Sequence, residues 1–62
     1  MKTAEQIESE NRAATIQAMH ARGGMFVKAL ASAAAAADKN NYYRLKQAFP
    51  EIWENYAPKN DR

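Results

Sequence analysis

From Gly23 to Ala37 the chain reads GGMFVKALASAAAAA, a glycine pair followed by a run in which nothing opposes helix. Alanine has the highest intrinsic helix propensity and no side-chain entropy to lose, so Met25 to Ala37 is expected to be a helical rod. At about 100° per residue, Phe26, Leu30, Ala33 and Ala37 form one stripe with Val27 and Ala34 at its edge, and Lys28 and Ser32 fall on the other side. Met25, Ala29 and Ala36 make a second, flatter apolar strip. A rod that is smooth on two sides accepts neighbours on both, because small side chains let another helix approach closely.

Length then limits what can be built around that rod. A chain of 62 residues holds one small domain, 1–62, which buries a modest share of its surface. Hydrophobic residues make up 47%, but 14 of them are alanine, so the core must come from a short set of larger side chains. These are Ile7, Ile16, Met19, Met25, Phe26, Val27, Leu30, Tyr42, Tyr43, Leu45, Phe49, Ile52, Trp53 and Tyr56. Without cysteine there is neither a disulfide nor a thiolate metal site, and chains this small compensate by idealised helix packing or by oligomerising. Pairing into a homodimer is therefore an expectation.

The chain opens on a marked helix start, Thr3 followed three residues later by Gln6, the spacing of a capping box. Glu5 suits the first turn, and Glu8 and Arg12 stand i, i+4 in the favourable order for an ion pair. His20 and Arg22 suit the negative end, and Gly23 can take a left-handed position after it. Ile7, Ala14, Ala18 and Ala21 share one narrow face of this helix, Ile16 points the opposite way and Met19 lies between. A helix with two apolar aspects in so small a protein implies that one of them meets another chain.

Asp38, Lys39, Asn40 and Asn41 read as a polar turn with capping residues. Beyond it Tyr42, Leu45 and Phe49 recur on one helical face. Pro50 stops that helix and starts a short one, because proline disfavours helix at the residue before it and is accepted at the first helical position. Five of the six aromatic residues lie between Tyr42 and Tyr56, so the C-terminal pair of helices is expected to lie over the alanine rod, large side chains against small, with Phe49 and Trp53 in the core. The expected fold is all-α: three helices near 3–22, 25–38 and 41–49, a short fourth near 50–56, and a frayed tail over 57–62.

Function classes can be weighed on the same residues. One histidine, no cysteine, no glycine-rich phosphate loop and no paired metal ligands argue against an enzyme, a cofactor or a metal. No apolar run approaches the roughly 20 residues of a membrane span, and the N-terminus lacks the pattern of a signal peptide, so a cytoplasmic setting is expected. Arg12, Arg22, Lys28, Lys39, Arg44 and Lys46 face only Asp38 in the middle of the chain, whereas both ends are acidic.

A basic middle admits a nucleic-acid reading, in which the rod, the 38–41 turn and the next helix form a helix-turn-helix, with Lys39, Asn41, Tyr43, Arg44, Lys46 and Gln47 meeting phosphates or base edges. The short recognition helix, a turn without glycine, and Glu51 and Glu54 close by all count against it. The favoured reading is a protein-interaction module, with Ile16, Met19, His20 and Arg22 by the glycine hinge as contact residues and self or a larger protein as partner. Ile16 and Met19 could equally complete the core.

The stretches MHARGGMFVKAL and LKQAFPEIWENYA, a little over a third of the chain, resemble those of small proteins encoded by bacterial phages and prophages. The resemblance implies a compact accessory protein that binds and diverts a host or phage protein, inhibitors of bacterial defence included. It carries over no site residue.

Overall fold

The computed structural model describes residues 2–58 and contains four helices: α1 (Ala4–Arg22), α2 (Met25–Ala36), α3 (Lys39–Ala48) and α4 (Pro50–Tyr56). No strand occurs among the described residues, and the all-α class expected from sequence holds. The tail expected over 57–62 lies outside the described residues from position 59 onward. No helix of the described residues is long and apolar enough to cross a membrane.

α1 begins as its sequence requires. The Gln6 amide donates to Thr3 Oγ1 (3.2 Å) and the Thr3 amide donates to Gln6 Oε1 (3.0 Å), which closes the capping box. α3 starts two residues earlier than the spacing suggested. Asp38 is its N-cap and accepts from the Asn41 amide at 2.8 Å, so the polar turn collapses into a cap. Phe49 (φ −130°, ψ 60°) ends α3 and caps α4, the non-helical backbone that a residue before proline adopts, and Pro50 opens α4.

The helices form a ring of neighbours, α1 on α2, α2 on α3, α3 on α4 and α4 on α1. The domain measures 37 × 25 × 17 Å, and every helix keeps exposed residues. Met19, Leu30, Ala31, Ala34 and Trp53 are the buried core, and Ile16, Val27, Tyr42, Leu45, Phe49, Ile52 and Tyr56 pack around it. Trp53 joins Ala31 and Ala34 in the core, but of the two C-terminal helices expected over the rod only α3 packs on α2, while α4 lies along α1.

Four expectations are corrected. The inward stripe of α2 is Val27, Leu30, Ala31 and Ala34; Phe26 stays 60% exposed and Met25 91%. The inward face of α1 is Arg12, Thr15, Ile16 and Met19, while Ile7 is 44% exposed and Ala21 is exposed. Apolar periodicity missed this face because half of it is polar. Tyr43, expected in the core, also faces solvent.

Gly23 is the fourth case. Its backbone is extended (φ −81°, ψ 159°), not left-handed. The position needs glycine for space, since a Cβ would collide with the Val27 side chain and the Met19 carbonyl, whose oxygen accepts from the Gly23 amide at 2.9 Å. Gly24 has open surroundings and caps α2 without a side-chain bond. Gly23→Ala is expected to lower stability by about 1–3 kcal/mol through overpacking. Gly24→Ser, which supplies the missing cap oxygen, should raise it by roughly a few tenths of a kcal/mol. Urea unfolding followed by Trp53 fluorescence checks both.

Candidate interaction surfaces

An alanine helix has no side chain with which to satisfy its own last carbonyls, and the last turn of α2 carries no basic residue. Arg12 of α1 supplies both. Its Nη2 donates to the carbonyls of Ala34 (2.8 Å) and Ala37 (2.6 Å), placing a cation at the negative end of the α2 dipole. The same guanidinium stacks 4.4 Å over the Tyr42 ring of α3. Tyr42 Oη accepts from Trp53 Nε1 of α4 at 2.9 Å, with the rings edge to face at 5.8 Å. One chain of contacts thus joins all four helices. The Glu8 to Arg12 ion pair expected from spacing is not formed, because Arg12 turns inward to carbonyl acceptors that only the tertiary fold provides. Thr15, also buried, donates its hydroxyl to the Asn11 carbonyl at 2.7 Å.

These contacts set the floor of a cleft between α1, α3 and α4, where Arg12, Thr15, Tyr42 and Trp53 lie at the base. Glu5 and Glu8 of α1 and Glu54 of α4 line it together with Lys39 and Lys46 of α3. The cleft therefore mixes both signs of charge.

A second, shallower depression lies between α2 and α3, lined by Ala33, Ala36, Ala37, Asn41, Arg44, Leu45 and Ala48. Helical spacing continues its α2 side to Phe26, whose ring meets that of Phe49 edge to face at 5.7 Å. The result is an apolar strip from Phe26 and Phe49 to Ala37, and Arg44 is the one charged residue lining the depression.

The contact residues expected near the hinge divide. Met19 is wholly buried and Ile16 packs on the core, so these two complete the interior, and Met19 offers no atom to a partner. The physical reason is that the Arg12 face, not the Ile7 face, turns inward. His20 is exposed, and so is Arg22, whose guanidinium lies 5.4 Å over the Tyr56 ring.

The nucleic-acid set divides as well. Lys39, Tyr43, Lys46 and Gln47 line the mixed-charge cleft, whereas Asn41 and Arg44 line the apolar depression. α3 does not gather all six on one face. Sequence reasoning missed Arg12 as the hub and the exposure of Phe26, although a rod lacking any C-terminal polar residue was a signal that its cap must come from elsewhere.

Arg12→Ala is expected to remove about 2–3 kcal/mol, the range of charge-assisted hydrogen bonds to partly buried acceptors, while Glu8→Gln changes stability by less than about 0.5 kcal/mol. Equal losses in the two variants would restore the ion-pair reading. Tyr42→Phe leaves the buried Trp53 Nε1–H without its acceptor and should cost about 1–3 kcal/mol, read as a lower urea midpoint. Comparison with family models, with curated proteins and with solved structures found no match to this chain.

Proposed function

We propose that the protein is a non-enzymatic interaction module that acts by occupying a surface of another polypeptide. The observation that carries this reading is the exposure of Ile7, Met25, Phe26 and Tyr43 on a domain whose buried core is only five hydrophobic residues. Of these, Phe26 continues the alanine-lined depression between α2 and α3, and large apolar side chains left in water beside such a face are what protein contacts cover. The resemblance to phage and prophage accessory proteins fits such a role, with a host or phage protein as the target and a bacterial defence protein as one example.

Nucleic-acid binding through α3 is the competing reading, favoured by Lys39, Lys46 and Gln47 on one exposed face. Glu5, Glu8 and Glu54 line the same cleft and oppose a phosphate backbone there. The test is retention of mixed-sequence duplex DNA at low salt, scored with the wild type and with Arg44→Glu and Lys46→Glu combined. The module reading expects no salt-reversible retention by either protein. Retention by the wild type that salt and the double substitution both abolish would overturn it.

A further inference from the structure

The first two turns of α1 stand clear of the core. Every residue from 4 to 10 is exposed, although the capping box fixes the start of the helix. α1 has 19 residues against 12 in α2, so it outlasts the helix it packs on by about 10 Å. A free helical end gains little from propensity and most from a packed neighbour.

That end forms one wall of the cleft described above, and α3 and α4 form the others. The cleft has a volume of about 1020 Å³. Glu5 and Glu8 line it from α1, Lys39 and Lys46 from α3 and Glu54 from α4. No ion pair bridges these walls; among the described residues the ion pair formed is Lys2 with Glu10. Both signs of charge are therefore open to a third party, and Tyr43, 56% exposed, adds apolar surface.

The same walls select the form of chain that can enter. A strand needs main-chain partners, and away from their ends the N–H and C=O groups of α1, α3 and α4 are spent within each helix. A polyproline segment has no internal hydrogen bonds, and the indole donor at the base of the cleft is already given to Tyr42 Oη at 2.9 Å. A helix satisfies its own backbone and brings only side chains. At a diameter of about 10 Å it fills the cleft over roughly 13 Å, about nine residues.

Resting on the interaction-module reading, we propose that this cleft receives one short amphipathic helix of a partner protein. Its apolar face lies toward Tyr42 and Tyr43, its basic flank meets Glu5 and Glu8, and its acidic flank meets Lys39 and Lys46. Mixed flanks are the requirement, since a uniformly charged helix sets like charges against one wall. A contact of so few turns belongs with transient interfaces and not with obligate ones.

The test is titration of the full chain with three capped peptides of about 14 residues, the length at which an isolated helix becomes viable. All share a leucine and alanine face; one carries glutamate on one flank and lysine on the other, the second glutamate on both, the third lysine on both. The mixed peptide should bind at least about fivefold tighter than either uniform one, read from amide chemical shifts at Glu8, Lys46 and Trp53. Amide exchange over residues 7–10 should slow as it binds. Lys39→Glu combined with Lys46→Glu, both at exposed positions, should keep the helicity seen by circular dichroism and move the preference to the all-lysine peptide. No saturable binding of the mixed peptide, equal binding of all three, or a preference that the double variant does not move would overturn the proposal and leave the Phe26 side to carry the module reading. Salt-reversible DNA retention would overturn that reading itself.

Discussion

The Arg12 guanidinium is the contact on which the arrangement of the four helices depends. α2 is favoured as a helix by its alanines but cannot cap its own C-terminus, and Arg12 meets two of those carbonyls while stacking on Tyr42, which in turn receives the Trp53 N–H. A charged group in a small core is costly unless its donors are used. Here the acceptors are the backbone oxygens that an alanine helix would otherwise leave to water, so one residue resolves the electrostatics of α2 and fixes where α3 and α4 sit relative to α1.

The rest follows from how little bulk the alanines supply. Stability of roughly 0.05–0.15 kcal/mol per residue leaves a chain of this size with only a few kcal/mol in hand, and five buried hydrophobics with one buried threonine are the interior that provides it. Polar contacts with defined geometry, such as the Trp53 to Tyr42 bond and the capping box, therefore count for more than they would in a larger domain. The same economy leaves Phe26, Met25 and Ile7 in water.

The charges around α3 bear on the competing readings of the basic middle. Lysines on α3 invite comparison with nucleic-acid binders, but Glu5 and Glu8 of α1 line the same cleft, and the six polar candidates of α3 divide between that mixed-charge cleft and an apolar depression. A surface in which charge alternates with apolar floor suits a polypeptide with complementary charge better than a uniform polyanion.

By itself the sequence determined the helices: the capping box at Thr3 and Gln6, the break at the glycines, the alanine rod and the proline between α3 and α4 are local signals, set within a few residues by backbone propensity and capping. It also placed Leu30 and Trp53 in the core, because their size leaves them no better place. The tertiary structure decided which face of each helix is inward. Ile7 suggested one face of α1, but Arg12 finds carbonyl acceptors on α2, 22 and 25 residues away, only when the opposite face turns in. That choice buries Met19, leaves Ile7 exposed and makes Ile16 and Met19 part of the interior. Gly23 shows the same division: its place was legible, but the reason for it, a close approach of Val27 and the Met19 carbonyl, exists only once the helices have packed.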